Sequence, residues 1–89
     1  MKTWYVYIVE CKDKTFYTGI TNDLNKRIEK HNNKKGAKYT RGRTPVILRA
    51  YFEVLDMRKA LSMEHKIKKL TRAQKIELIN YESKRNTST

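Results

Sequence analysis

The chain has 89 residues, with 21 Lys and Arg against 9 Asp and Glu, so it forms one small domain with a formal net charge of +12. A charge this large requires an anionic partner, and nucleic acid is the first candidate. No apolar run approaches the ~20 residues of a membrane-spanning helix, the start is too polar for a signal peptide, and the lone Cys11 excludes an intrachain disulfide, so a cytoplasmic location without membrane contact is expected.

The first two predicted elements are strands that form a hairpin. Residues 4–10 (WYVYIVE) and 16–20 (FYTGI) are rich in β-branched and aromatic side chains, and the polar segment between them is short. Directly paired residues share a face of the sheet. Pairing even-numbered with even-numbered residues places Tyr5, Tyr7 and Tyr17 together on the other face, so Tyr7 and Tyr17 are predicted to be near neighbours.

A short helix follows over residues 24–32, with Asn22 or Asp23 as its N-cap. Its inward positions follow the helical period and are Leu24, Ile28 and His31. Arg27 borders this stripe. The positions predicted to face water are Lys26, Glu29 and Lys30.

The next segment is predicted to be a basic loop that leads into a third strand. Residues 32–45 (NNKKGAKYTRGRTP) contain Asn, Gly and Pro together with several cations, and no acid. Residues 46–54 alternate as a strand does. One face is predicted to carry Val46, Leu48, Ala50, Phe52 and Val54. The other face is predicted to carry Arg49, Tyr51 and Glu53.

Two helices complete the predicted order β-β-α-β-α-α. Asp56 caps the first, over about 57–69, and Thr71 with Gln74 forms a capping box for the second. The apolar stripe of the first is Met57, Ala60, Leu61, position 64 and Ile67. The inward residues of the second are Ala73, Ile76 and Ile79. The domain is predicted to span residues 1–83, and residues 84–89 are predicted to be a disordered tail.

Position 64 is a glutamate where leucine would pack better. A buried carboxylate is costly unless it is paired or binds a metal. Both a salt bridge to a nearby Lys or Arg and a metal-binding role meet this requirement, and the spacing alone favours the salt bridge.

The other candidate residues also have ordinary interpretations. Arg27 suits a phosphate or a carboxylate, although most arginines are simply exposed. His31 is more often a packing or capping residue than a catalyst. Tyr7 and Tyr17 are common strand residues, yet a phenol can relay a proton or hydrogen-bond a phosphate. The basic loop has the composition of a phosphate-backbone contact and also of any solvated loop.

Taken together, YVYIVEC, FYTGIT, DLNKRIEKHN, KGAKYTRGR and ALSMEHKIKKL, in that order, resemble the GIY-YIG nuclease superfamily in its short single-domain branch. The resemblance runs from about Trp4 to Ile79. It implies an α/β (α+β) fold in which a three-stranded antiparallel sheet is flanked by about three helices. It also implies metal-dependent hydrolysis of DNA phosphodiesters.

The resemblance assigns roles residue by residue. Matches to the catalytic positions of the family are Tyr7, Tyr17, Arg27, His31 and Glu64, and Gly19 matches the glycine of the second half-motif. Two residues depart from the motif, since Tyr5 stands for the glycine of the first half-motif and Thr18 for the isoleucine of the second.

The implied enzyme is an endonuclease of low base-sequence specificity that uses one Mg²⁺ or Mn²⁺ held by Glu64. Arg27 would grip the non-bridging oxygens. Tyr7 would deprotonate the attacking water, with its pKa lowered by the cations Arg27 and His31, and Tyr17 would position that water. The residues expected to bind nucleic acid, most often DNA, are Lys26, Lys30, Lys38, Tyr39, Arg41, Arg43, Lys66, Lys68 and Lys69. The alternative is a non-catalytic nucleic-acid-binding module that uses the same basic face.

Overall fold

The computed structural model describes the backbone of residues 3–87 and the side chains of residues 3–83. The elements in chain order are β1 (Trp4–Glu10), β2 (Phe16–Thr21), α1 (Leu24–Asn32), a 3₁₀ turn (Lys38–Thr40), β3 (Ile47–Val54), α2 (Met57–Lys68) and α3 (Arg72–Thr87). The three strands form one antiparallel sheet in the order β2-β1-β3. The predicted fold class and element order are confirmed.

The hairpin of β1 and β2 has the predicted register. Tyr7 pairs with Gly19, and Val9 pairs with Tyr17, so odd-numbered residues face each other. Lys14 takes a left-handed conformation in the turn (φ 71°), and the Asp13 carboxylate accepts a hydrogen bond from the backbone N–H two residues later at 3.1 Å. The turn therefore fixes the register that brings the two tyrosines to one face.

Helices cover both faces of the sheet. Val6 and Ile8 of β1 pack with residues of α2 and α3 on one face. Tyr7 and Val9 pack on the opposite face, where α1 supplies Leu24 and Ile28. The central strand is thus buried on both sides, and its α1 side carries the tyrosines.

Strand β3 changes face at a β-bulge. Two consecutive residues of β1 pair with Ala50 and Leu48, which leaves Arg49 as an extra residue. The prediction of one inward face for the whole strand is therefore wrong, because one extra residue reverses the alternation of side chains. Ala50 and Phe52 pack under α2 and α3, whereas Val46 and Leu48 pack on the α1 face.

All three predicted helix starts are confirmed. Asp23 caps α1 and Asp56 caps α2, and each carboxylate accepts a hydrogen bond from the backbone N–H three residues later, at 3.1 and 2.8 Å. Thr71 and Gln74 exchange hydrogen bonds of 2.9 and 3.2 Å at the start of α3, as a capping box does.

The buried face of α2 differs from the predicted stripe. Ala60 and Ile67 are buried and Met63 packs beside them, whereas Met57 and Leu61 are 48% and 45% exposed. The i, i+3, i+7 spacing of the buried residues centres the inward face on one side of the predicted stripe. This shift moves position 64 to the border of the core.

The inward face of α3 is also displaced from the prediction. Leu78 and Ile79 pack on the core and Glu82 is buried, whereas Ala73 and Ile76 are exposed. The observed inward face includes the charged Glu82, and a pattern of apolar residues does not identify a charged position as buried.

The end of α3 overlaps the segment that was predicted to be a disordered tail. The helix continues to Thr87, four residues into the segment 84–89. Side chains of residues 84–87, and residues 88 and 89 entirely, lie outside the described part of the chain, so the disordered tail stays a prediction. Among the described helices, none has the length and apolar character needed to cross a bilayer.

Candidate active site

The site is built around the phenol of Tyr7, which lies in the middle of the central strand and is fully buried. Helix α1 packs over it and supplies two side chains one turn apart. Arg27 Nε donates a hydrogen bond to the phenol oxygen at 3.2 Å, and His31 Nε2 lies 2.8 Å from the same oxygen. The i, i+4 spacing of Arg27 and His31 places both on one side of the helix, as the sequence predicted.

Neighbouring hydrogen bonds fix the tautomer of His31. Its Nδ1 lies 2.8 Å from Thr40 Oγ1, and the Thr40 hydroxyl donates its only hydrogen to the carbonyl oxygen of Ala37 at 3.0 Å. Thr40 must therefore accept a hydrogen bond from Nδ1–H. This leaves Nε2 as an acceptor, so Tyr7 donates to it. One directed chain runs from Arg27 through Tyr7, His31 and Thr40 to Ala37.

The charge state of His31 agrees with this chain. Burial and the nearby positive charge of Arg27 lower the pKa of His31 to about 4, so the ring is neutral at pH 7. Burial also raises the pKa of Tyr7, although the hydrogen bond and the charge of Arg27 act in the opposite direction. Arg27 therefore acts on Tyr7 in the predicted direction, but the prediction that the pKa of Tyr7 is lowered is wrong because desolvation outweighs Arg27, and the prediction of a cationic His31 is wrong because burial keeps the ring neutral.

The neutral state of His31 predicts a pH dependence of stability. In the folded protein His31 stays unprotonated down to about pH 4, whereas in the unfolded chain it binds a proton below about 6.5. The unfolded state therefore takes up more protons in this window, and the unfolding free energy should fall by up to about 3 kcal/mol as the pH drops from 6.5 to 4.

Urea unfolding at several pH values measures this dependence. His31→Gln should flatten the curve across the window, and the exposed His65 offers a matched control, His65→Gln, that should keep the wild-type slope. A His31→Gln variant that retained the full slope would contradict the assignment.

Two glycines leave the space that these side chains occupy. A Cβ on Gly19 would lie 2.5 Å from the phenol oxygen of Tyr7, and a Cβ on Gly36 would collide with the ring of His31. Gly19 belongs to the predicted motif. Gly36 and Thr40 were not predicted, because both lie in the 32–45 loop and meet His31 only in the folded chain.

Tyr17 extends the site along β2. Its ring centroid lies 6.5 Å from that of Tyr7 and 5.5 Å from that of His31. Tyr39 of the loop stacks on Tyr17 with centroids 5.9 Å apart, and Arg43 lies 4.1 Å above the Tyr39 ring. The aromatic contacts therefore anchor the basic loop beside the phenols.

Two of the predicted nucleic-acid contacts in this loop are held by the protein itself. Arg43 forms a 2.9 Å ion pair with Asp13 and donates to the carbonyl oxygen of Tyr39 at 2.7 Å. Tyr39 is stacked as described. Seven of the predicted cations are exposed, namely Lys26, Lys30, Lys38, Arg41, Lys66, Lys68 and Lys69.

Glu64 lies at the border of the core and reaches the same region from α2. Its side chain is 18% exposed and forms a 3.5 Å ion pair with Lys68. The Lys68 ammonium also lies 5.9 Å from the Tyr17 ring. Through Lys68, the Glu64 carboxylate is therefore placed close to Tyr17. The salt bridge favoured by spacing is present, and it lies beside the predicted catalytic residues.

The donor set can be compared with what metals require. Within residues 3–83 there is no cluster of three or more His, Cys, Asp or Glu side chains. Glu64 would be a single carboxylate ligand, and one ligand is too few for the all-protein coordination sites that zinc or calcium use. One carboxylate fits Mg²⁺, which is commonly held by one or two carboxylates together with water and substrate phosphate oxygens.

The two departures from the motif lie in different environments. Thr18 is buried on the α2 and α3 side of the sheet, where it pairs with Ile8, and within the described residues its hydroxyl has no hydrogen-bond partner. Tyr5 lies on the same face as Tyr7 and packs edge-on against Tyr51, with centroids 6.1 Å apart. Neither side chain hydrogen-bonds the Tyr7 phenol in the described contacts.

Comparisons with known proteins agree with this geometry. The family model described as the GIY-YIG catalytic domain matches residues 3–77. A UPF0213 protein of Clostridium perfringens is 60% identical over 80 residues, which cover 89% of this chain and 85% of the relative. A UPF0213 protein of Haloquadratum walsbyi is 57% identical over 75 residues, or 83% of each chain.

Two solved structures are similar to this chain along most of its length. The solution NMR structure of a UPF0213 protein from Bacillus halodurans is 43% identical, covers 98% of both chains and has a TM-score of 0.58. The solution NMR structure of a protein from E. faecalis is 36% identical, covers 91% of this chain and 86% of that one, and has a TM-score of 0.62.

Proposed function

The chain belongs to the GIY-YIG family, whose domains are nucleases, and on this premise we propose that it is a metal-dependent endonuclease that nicks or cleaves DNA with low base-sequence specificity. The observation that carries the proposal is the buried hydrogen-bond chain from Arg27 through Tyr7 to His31. A surface that only binds nucleic acid needs exposed cations. Binding of nucleic acid does not require a buried phenol that is hydrogen-bonded between a guanidinium and a neutral imidazole.

The chain of hydrogen bonds supplies a route for the proton of the attacking water. Tyr7 takes that proton at its phenol oxygen while it passes its own proton to Nε2 of His31, 2.8 Å away. His31 becomes cationic, and its Nδ1–H stays bound to Thr40. No free phenolate is needed, so the raised pKa of Tyr7 is compatible with this step. The lowered pKa of His31 means that the imidazolium holds the proton only transiently, while negative charge builds on the attacked phosphate.

Arg27 stabilises the phosphate. Its Nε donates to the Tyr7 oxygen and the guanidinium also interacts with the Tyr17 side chain, so the remaining terminal N–H groups are the ones that would contact non-bridging oxygens. The interaction with Tyr7 raises the pKa of Arg27, so its charge is permanent at any working pH. A fixed cation at this point stabilises negative charge that develops at phosphorus.

Glu64 is the residue that would hold Mg²⁺ or Mn²⁺, an ion that neutralises charge on the leaving oxygen when it is bound. In the structure, the Glu64 carboxylate forms an ion pair with Lys68. The Lys68 side chain is half-exposed, so it can turn toward solvent and leave the carboxylate to the ion. Tyr17, whose ring lies beside both Tyr7 and His31, would orient the attacking water.

A non-catalytic nucleic-acid-binding module is the second candidate. The ion pair between Glu64 and Lys68 favours it, because the carboxylate is satisfied without a metal. Incubation with supercoiled plasmid separates the two. Metal-dependent conversion to open circle supports the nuclease, and a mobility shift without cleavage supports the module.

Binding to duplex DNA should weaken steeply with salt. Residues 26–49 carry nine Lys or Arg against one acid, and residues 58–75 carry seven against one. If roughly five to eight of these cations meet phosphates, log K against log salt should have a slope of about −5 to −7. Fluorescence anisotropy in EDTA measures the slope, and a value near −1 would show that the basic residues are not the contact surface.

Cleavage should discriminate poorly between base sequences. Base readout requires a helix or ribbon that delivers side chains into a groove, and every described helix and strand here packs on the core. Cations in loops and on helix surfaces meet the phosphate backbone, which is the same at every step. Cleavage of a random-sequence library followed by sequencing tests this, and a consensus of about six base pairs would overturn it.

A further inference from the structure

An open groove of about 310 Å³ borders the site at the start of α1. Among its lining residues are Trp4, Ile20, Asn22, Lys26, Arg27 and Lys30. Asp23 also lines it, but its Oδ1 already accepts the capping hydrogen bond at the start of α1. The catalytic scheme uses only Arg27 from this set.

Arg27 connects the groove to the chemistry. The same side chain lines the groove and donates to the phenol oxygen of Tyr7. A strand whose scissile phosphate meets Arg27 must therefore place a neighbouring nucleotide at or near the groove.

The walls of the groove select the state of that nucleotide. Trp4 and Ile20 are half-buried, pack against the core and contribute apolar surface to the lining, and the exposed Lys26 and Lys30 contribute cations together with Arg27. Cations that follow the backbone beside an aromatic ring are the combination that binds single strands. The faces of paired bases are covered by their neighbours in a duplex, so only an unpaired base can present a face to Trp4.

We propose that this groove binds one unpaired nucleotide next to the scissile phosphate, and that the substrate class is DNA with a single-stranded segment, such as a flap, a gap or a tail. The inference rests on the proposed nuclease function and adds its substrate class. Lys26 and Lys30 hold the flanking phosphates, and Asn22 offers amide hydrogen bonds to the edge of the base.

Trp4 is the only tryptophan of the chain, so tryptophan emission reports on this groove and on the part of the core that Trp4 contacts. In EDTA, wild-type protein is titrated with a short oligothymidylate, with a blunt two-stranded DNA duplex of equal phosphate number, and with a base-free deoxyribose-phosphate chain of equal length. The oligothymidylate should quench Trp4 saturably and bind roughly tenfold tighter than the base-free chain, since one stacked base contributes that much or more. The blunt duplex should leave the emission unchanged.

Variants locate the site. With a labelled oligothymidylate, Trp4→Leu should raise the Kd about tenfold, and Trp4→Phe, which keeps a ring, should raise it less. Lys30→Ala should weaken binding more than Lys59→Ala, an exposed lysine of α2 outside the groove. Equal affinity for oligothymidylate and the base-free chain, or equal quenching by the blunt duplex, would overturn the inference.

The readout is independent of catalysis, so the two proposals fail separately. Metal-dependent nicking with an unresponsive Trp4 would overturn the groove and leave the nuclease intact. Stacking on Trp4 without any nicking would support the groove as a binding site and remove the nuclease.

Discussion

Glu64→Gln is expected to reduce cleavage to the level of the EDTA control while DNA binding stays nearly unchanged. Glutamine keeps the size of the side chain but removes the charge that would hold the divalent ion. The Glu64 side chain lies at the border of the core and its described ion pair is a partly exposed one with Lys68, so the fold should survive its loss. Plasmid nicking and anisotropy on the same preparation measure both properties.

An exposed carboxylate outside the site gives the matched control. Glu77→Gln on α3 removes the same charge and should cut at the wild-type rate. The metal assignment would be wrong if Glu64→Gln unfolded, or if it cut as fast as wild type.

Tyr7→Phe should lower the cleavage rate by about 10²–10⁴, the usual range for a lost general acid-base group. The ring is retained, so packing against Val9 and its neighbours is preserved. The missing hydroxyl breaks the path from water to His31 and leaves the buried Nε2 without its donor. That unpaired atom should cost about 1–3 kcal/mol of stability.

Rates should therefore be measured well below the melting temperature, with folding checked by circular dichroism. Tyr17→Phe should lose less activity than Tyr7→Phe, because the Tyr17 ring is at the border of the hydrogen-bond chain. Tyr51→Phe, a partly exposed tyrosine of β3, serves as the neutral control. Normal turnover in Tyr7→Phe would rule out Tyr7 as the base.

Local patterns predicted much of the fold. The alternation in β1 and β2 defined the register that brings Tyr7 and Tyr17 together, and the capping residues Asp23 and Asp56 located two helix starts. These features depend on residues close in sequence, for which period and capping chemistry are direct physical signals.

The features that could not be predicted depend on contacts between distant segments. The bulge at Arg49 reverses the faces of β3, and nothing in its own alternation reveals it. Thr40 fixes the tautomer of His31 across nine residues of chain, and Gly36 leaves room for the ring. The neutral charge of His31 follows from burial, which a sequence pattern does not measure.

Contacts between distant segments changed the chemical role proposed for a site residue, whereas the residues themselves had been named from the sequence. Tyr7, Arg27 and His31 were named from the sequence, but His31 was given the role of a cation. The structure makes it a neutral acceptor behind Tyr7, and the proposed relay depends on that state.

The most direct test of the central claim is a time course with purified wild-type protein on negatively supercoiled plasmid, whose superhelical stress opens unpaired segments of the kind that the groove would bind. Mg²⁺ should convert the plasmid to open circle, EDTA should stop the conversion, and excess Mg²⁺ should restore it. Glu64→Gln and Tyr7→Phe, purified in parallel, should leave the plasmid supercoiled over the same period, which excludes a contaminating nuclease. An unchanged plasmid with wild-type protein that shifts DNA in a gel, or nicking that both variants retain, would contradict the account.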